Sequence, residues 1–290
     1  MDRKIWRLLG AAVRSADRSV VRCGRRPRFS DQRIVKMYLW SVWHDRPLCW
    51  ACDRRHYNTM FRPGQLPSVS QFCRRMKTQR VRAMLDAIQN YLTRSDGPIR
   101  LSFLDGKPLP VPMWSRDKDT RIGYASTGFA RGYKLHAWAA EDGRIMRFSI
   151  RPMNDGEARV AREFATDRRA RGLVLADANY DSQKLYQAFG AGGAQLLTPL
   201  KRIAVNPDPL RRMGPNRRFA IELHQRLGDG YRLLLDRRDA IERFFSALCC
   251  FGGGLTTLPA WVRRLDRVAP WVNAKIAIYH ARLCLRKEAA

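Results

Sequence analysis

Residues 172–177 read Gly172-Leu173-Val174-Leu175-Ala176-Asp177, a short apolar run that stops on an acid. No alternation with polar residues gives it a wet face. Such a run predicts a strand buried on both faces, and such a strand is stable only in a sheet that other elements cover on both sides. The flanking segments supply the cover. Asp155 to Ala170 places Ala158, Val160, Ala161, Phe164 and Ala165 at helical spacing, and Ser182 to Phe189 reads as a second helix. Gln195 to Pro199 predicts another strand.

Upstream the pattern is antiparallel. Ile99, Leu101, Phe103 and Asp105 alternate with Arg100 and Ser102, which predicts a strand ending at Asp105. Tyr133 to Ala140 and Arg144 to Ile150 predict two more strands, joined by a Glu141-Asp142-Gly143 turn. Arg237 to Phe251 predicts a helix with Ile241, Phe244, Phe245 and Leu248 on its core face, and a last helix runs from about Pro270 to Lys287. The fold class is α/β with a mixed sheet, and chemistry in such sheets gathers at strand ends.

The first third is different. It is helical by pattern: Asp31 to His44 with Ser30 as N-cap, a helix opening at Pro67-Ser68, and Arg80 to Leu92. Ser95-Asp96-Gly97-Pro98 then breaks the chain. We therefore expect a helical region over 1–97 and a second, α/β domain over 98–290, the latter with a basic insertion near 200–236 and the C-terminal helix.

Charge names the partner. The chain carries 55 Lys+Arg against 26 Asp+Glu, a formal net charge of +29. Residues 1–97 hold 21 basic and 7 acidic residues (21 − 7 = +14) and contain no Glu. A small acidic substrate does not require so much charge; a polyanion does, and nucleic acid is the expected partner. Seven scattered Cys do not form a disulfide framework, and no apolar run reaches the ~18 residues of a membrane span. The start lacks the apolar stretch of a signal peptide. A bacterial cytoplasmic protein, on the nucleoid when bound, is expected.

Three acids stand where chemistry could use them. Asp105 and Asp177 end adjacent strands, and their charges would repel unless a cation lies between them. Each could instead cap the turn that follows it. Glu242 flanks the buried stripe of its helix, one turn after Arg238; a surface Arg238–Glu242 pair, worth only about 0.3–0.5 kcal/mol, is the other account.

Together these acids carry a resemblance. Leu104-Asp105-Gly106-Lys107-Pro108, Arg131-Gly132-Tyr133-Lys134-Leu135-His136, Leu175-Ala176-Asp177-Ala178-Asn179-Tyr180-Asp181 and Arg238-Asp239-Ala240-Ile241-Glu242-Arg243-Phe244-Phe245 follow in this order. The set resembles the DDE transposases of bacterial insertion sequences over about residues 98–285. The resemblance implies a ribonuclease H-like mixed sheet flanked by helices, behind an all-helical N-terminal domain. It implies two Mg²⁺ ions, replaceable by Mn²⁺, held by Asp105, Asp177 and Glu242. It implies metal-dependent cleavage and strand transfer on double-stranded DNA, by a homodimer. One large group of the family also carries a Tyr and a Lys in the Glu motif; Leu235 and Cys249 stand at those positions here. Two other readings share much of this chemistry, a non-catalytic DNA-binding regulator and a metal-dependent nuclease without strand transfer.

DNA contacts are expected from two places. Residues 106–132 form a long connection with Lys107, Arg116, Lys118, Arg121 and Arg131 among Trp114, Tyr124 and Phe129; Lys134 and Arg238 lie close to the acids in sequence. Ser68 to Arg75 resembles a recognition helix whose Ser, Gln, Arg74 and Arg75 could read base edges, or belongs to a bundle serving dimerisation. His44, Cys49, Cys52 and His56 have a spacing compatible with zinc, but no second ligand pair follows; they are read as half-buried thiols at a helix start. Asp181 and Asp236 are expected to stand outside the site and to serve as controls.

Overall fold

The computed structural model describes residues 3–22, 24–25, 27–94, 97–125, 128–167, 170–201, 213–250 and 254–289. The chain divides into two compact units, Met1–Arg94 with Ala247–Ala290, and Ser95–Ser246.

The first unit is helical. It contains α1 (Arg3–Ser19), α2 (Asp31–Trp43), α3 (Val69–Met76), α4 (Gln79–Leu92) and the C-terminal helix Leu265–Ala289. Ser30 caps α2 by accepting from Arg33 N, as its position predicts. Ser68 and Gln71 close a capping box on α3. α1 was not expected, although Ile5, Trp6, Leu9, Ala12, Val13 and Ala16 are all buried along one stripe. Trp6 meets Trp40 edge-on with centroids 5.3 Å apart. Asp31 is buried and satisfied by Arg75, by Arg80 at 2.9 Å and by Arg22 at 3.6 Å.

The C-terminal helix belongs with this unit, whereas contiguity in sequence grouped it with the sheet. Its composition explains the difference. Val268, Trp271, Val272, Ala274, Ile276, Ala277, Ile278 and Ala281 are buried, so it has apolar surface on several sides to cover. Its polar residues pair with the N-terminal helices. Gln89 Nε2 donates to Asn273 Oδ1 at 2.8 Å, His280 Nδ1 lies 2.8 Å from Gln89 Oε1, and buried Lys275 donates to Asp45 Oδ1 at 2.5 Å.

The segment between Cys49 and His56 forms two 3-10 turns. The Cys52 thiol is pushed up to about 11, by burial first and then by Cys73 and Cys49, and it donates to Leu48 O at 3.6 Å. His56 stacks on Trp50 with its Nδ1 2.7 Å from the Trp50 carbonyl. No group of three His, Cys, Asp or Glu able to hold a metal ion occurs among the described residues.

The second unit is a mixed α/β layer structure around one sheet. Its strands are β1 (Ile99–Pro110), β2 (Arg121–Ala125), β3 (Gly128–Ala140), β4 (Ile145–Pro152), β5 (Ala170–Leu175) and β6 (Gln195–Leu197). The order is β2-β3-β1-β5-β6, with β4 also paired to β3. β1, β3 and β4 are antiparallel; β5 lies parallel to β1, and β6 parallel to β5. The helices are α5 (Glu157–Phe164), α6 (Gln183–Ala191), α7 (Pro215–Leu227), α8 (Asp229–Asp236) and α9 (Ala240–Cys250). Val174, Leu175 and Ala176 are fully buried, as a strand covered on both sides requires. Trp138 on β3 packs on Phe189 of α6 at 5.2 Å and donates to Ser102 Oγ at 2.9 Å. On the other face Phe103 meets Phe244 of α9 at 6.2 Å.

Two expectations change here. β1 continues past Asp105 to Pro110, because β3 offers it partners as far as Gly132. The connection expected over 106–132 is therefore mostly strand: among the described residues, β1, β2 and β3 leave only 111–120 as loop. Asp117 in that loop is buried and accepts from Tyr133 Oη at 2.8 Å, so its charge anchors the loop rather than offsetting its surface. The basic stretch after Lys201 forms α7 and α8, while Arg202, Arg211 and Arg212 lie outside the described residues.

Candidate active site at the strand ends

The last registered pair between β1 and β5 is Phe103 with Leu175. Asp105 and Asp177 each lie two residues beyond it. Parallel register thus brings the two acids to the same edge of the β1–β5 pairing, Asp105 partway along β1, which runs on against β3, and Asp177 just past the end of β5. Period two then sets the side: Asp105 follows Leu101 and Phe103 onto the face that α9 covers.

Both acids also serve their own turns. Asp105 Oδ1 accepts from Gly106 N at 2.7 Å. Asp177 Oδ1 accepts from Asn179 N at 2.8 Å and so caps the 3-10 turn Ala178–Tyr180. The capping account is therefore true of Asp177, and it leaves room for a second role. Burial pushes the Asp105 carboxyl up to about 6; Gly106 N–H and Arg238 pull the other way, while the charges of Asp177 and Glu157 add to the rise. The two aspartates thus lie in each other's field. Tyr180, buried beside them, is held well above its usual range by burial and then by Glu157, Asp105 and Asp177.

Arg238 precedes α9 and places its Nη1 4.0 Å from Asp105 Oδ2. It reaches Asp105 instead of Glu242. Glu242 lies one turn further along, exposed on α9. The structure brings Asp105 and Asp177 together and does not bring Glu242 into a three-acid group with them. Glu157, the first residue of α5, is the acid that sequence reasoning missed. It receives Lys134 Nζ at 2.9 Å, and both side chains are largely buried. Gly106 leaves space for this pair: a Cβ there would meet Glu157 Oε1 at 2.8 Å and Lys134 Cδ at 2.9 Å. Glu157 follows Gly156 in an ordinary acidic first turn, so its sequence carries no functional signal.

The cations expected on DNA separate into two sets. Lys134 is committed to Glu157 and Arg75 to Asp31. Arg74, Arg116, Lys118 and Arg121 are exposed, and Lys107 and Arg131 are half-buried. Asp181 is also more than a bystander. Its side chain is fully buried, and Oδ2 accepts from Lys201 N at 2.9 Å and from Arg217 Nη2 at 3.0 Å.

A mixed sheet that brings two carboxylates level just past the pairing of adjacent parallel strands belongs to the α/β proteins whose chemistry gathers at that edge of the sheet. Residues 115–213, about a third of the chain, match the family model described as transposase DDE domain. The likeness to DDE transposases thus rests on that match as well as on the motifs. The match includes Asp177 and Glu157, while Asp105 and Glu242 lie outside it. A transposase function in general, and with it a DNA substrate, is supported. The family is generally dependent on divalent metal. No curated protein matches the chain. No helix among the described residues is long and apolar enough to cross a membrane.

Proposed function

We propose that this chain is a transposase that cuts DNA at a site built on Asp105, Asp177 and Glu242 and then joins the cut end to target DNA. One observation carries the reading: Asp105 and Asp177 each lie two residues past the last registered pair of adjacent parallel strands, and burial, with the charge of Asp177 adding to it, lifts the Asp105 acid to about 6. The pairing of β4 with β3 and β3 with β1, antiparallel, and of β1 with β5 and β5 with β6, parallel, supports a ribonuclease H-like sheet.

The donor set fits a hard divalent ion. It offers carboxylate oxygens, which Mg²⁺ prefers and Mn²⁺ also accepts. A cation between Asp105 and Asp177 would relieve the repulsion that Asp105 now feels. Glu242 would join from α9, whose preceding turn already touches Asp105 through Arg238. When bound, two such ions supply the positive charge that stabilises the attacking and leaving oxygens of an in-line phosphoryl transfer.

The chemistry is two transfers of the same kind. Water attacks a phosphorus, the P–O3′ bond breaks, and a 3′-hydroxyl is freed. That hydroxyl attacks a target phosphorus and displaces the target's own 3′ oxygen. No covalent protein nucleophile is needed. In this reading Arg238 keeps Asp105 ionised, the buried Lys134–Glu157 pair braces the strand ends, and Lys107, Arg116, Lys118, Arg121 and Arg131 with Arg74 draw phosphates. Two element ends must be held at once, so the working form is a homodimer.

DNA taken from both flanks of the coding region supplies the substrate for the test. Asp105→Asn, Asp177→Asn and Glu242→Gln should each lower cleavage and strand transfer at least about a hundredfold, roughly 3 kcal/mol of barrier, with duplex affinity nearly unchanged. Asp236→Asn, at an exposed position, should behave as wild type. Asp181→Asn cannot serve as the control, since it would unpair a buried network. Binding without cleavage would indicate a regulator, and cleavage without joining a nuclease. Cleavage that survives Asp177→Asn sinks the site.

A further inference from the structure

Eleven large apolar side chains are exposed among the described residues, and five of them fall between 113 and 129: Met113, Trp114, Ile122, Tyr124 and Phe129. The ladder brings three of them, Ile122, Tyr124 and Phe129, onto one face, and an exposed apolar face of that kind marks a surface built for contact. Trp114 is 85% exposed, Phe129 78% and Tyr124 67%. Tyr124 and Phe129 face each other across the β2–β3 ladder, and their rings meet edge-on at 6.0 Å. Ile122 pairs with Arg131 two residues away on the same face of the ribbon.

The ribbon is braced. Gly123 lies so close to the Met153 backbone that a Cβ would come within 2.5 Å of its carbonyl oxygen. Val111 N donates to Arg131 O at 2.9 Å, and Tyr133 holds the preceding loop through Asp117. The aromatic pair is thus held out on a fixed support. Arg131, opposite Ile122, lies on the same face and has its Nε buried with no hydrogen-bond partner among the described residues; exposed Arg116 and Lys118 lie in the preceding loop and Arg121 at the start of β2.

An apolar protein surface would have to desolvate these cations. A DNA strand offers phosphates for the cations and flat base faces for the rings. In a paired duplex those faces are stacked and closed, so the rings fit bases that are unpaired. We infer that the β2–β3 hairpin binds unpaired DNA, with Tyr124 and Phe129 stacking on bases while Arg131, Arg121 and Lys118 meet the phosphates. The inference rests on the reading that this chain acts on DNA and extends it to the state of the strand.

The test is fluorescence anisotropy on the full chain with two probes, a labelled oligothymidylate of about 20 nucleotides and a labelled duplex of similar length. The double variant Tyr124→Ala/Phe129→Ala should lose at least about tenfold in affinity for the single strand and less than about twofold for the duplex. The Phe129→Trp variant should keep single-strand affinity and gain indole quenching on binding, relative to wild type. Unchanged single-strand affinity in the double variant, or equal losses on both probes, overturns the inference. So does a change from dimer to monomer on sedimentation with single-strand affinity kept, which would make the patch a contact between copies. Wild type binding neither probe would fail the DNA reading itself; Asp177-dependent cleavage with an indifferent hairpin would fail only the hairpin.

Discussion

His136 stands on β3 almost wholly buried, and neither ring nitrogen has a hydrogen-bond partner among the described residues. Burial first, then the charges of Lys134, Arg151 and Arg159 against that of Asp155, bring its acid down to about 4. The unfolded chain takes the proton near 6.5. Protonation therefore favours unfolding. The stability that neutral His136 contributes is complete above about pH 6.5 and is lost as pH falls toward 4, amounting to about 3 kcal/mol over the 2.5 units (6.5 − 4). Thermal midpoints at pH 7 and pH 4.5 should diverge strongly in wild type and much less in His136→Leu. An equal divergence in both would place the pH sensitivity elsewhere. Residue-level roles were the least legible in sequence. Arg75 looks like a base reader and is taken by Asp31; Asp181 looks like a bystander and holds Lys201 and Arg217. Such assignments depend on partners far along the chain, and local spacing does not name them. The positions of Asp105 on β1 and Asp177 just after β5 followed from strand period, a local rule; that β1 runs on past Asp105 did not, because its partner β3 lies elsewhere in the chain.

At the level of elements, most helices and strands followed from apolar spacing and caps. β2 did not: Pro108, Pro110 and Pro112 argue against pairing, yet they lie at the end of β1 and beyond, and Arg121–Ala125 pairs with the extended β3. The C-terminal helix was legible as a helix but not in its neighbours, since nothing in a helix names the surface it will cover. Its buried Lys275 gives a test. Lys275 is almost wholly buried and paired with half-exposed Asp45, whose backbone is left-handed at φ 51°. Burial pulls the Lys275 acid down, and Asp45 pulls it back up. Asp45→Asn keeps the backbone tolerance and leaves the ammonium without its counter-charge; it should cost about 1–3 kcal/mol by denaturant melting, after allowing for the exposure of Asp45. Lys275→Met removes the charge altogether and should cost less. If the order is reversed, the pair contributes net stability rather than demanding it.

For the whole molecule, net charge decides what drives association. With +29 formal charges, affinity for duplex DNA should fall steeply with salt, with a log–log slope beyond about −4 if at least about five phosphates are neutralised. A flat slope would remove charge as the driver. Charge and fold class were legible in composition and periodicity; the way the chain is shared between the units was not. The sheet unit, 95–246, interrupts the helical one, which needs residues 265–289 to cover α1, α2 and α4. On the ribosome this sets an order of events. The helices made first must wait, with apolar faces that the last helix covers, while the 172 residues between Leu92 and Leu265 (265 − 92 − 1) emerge, and the sheet can fold during that wait. Units usually mature from the amino terminus onward; here the middle of the chain can close before its beginning, and premature termination after the sheet would release the sheet unit beside a helical one that lacks its last helix.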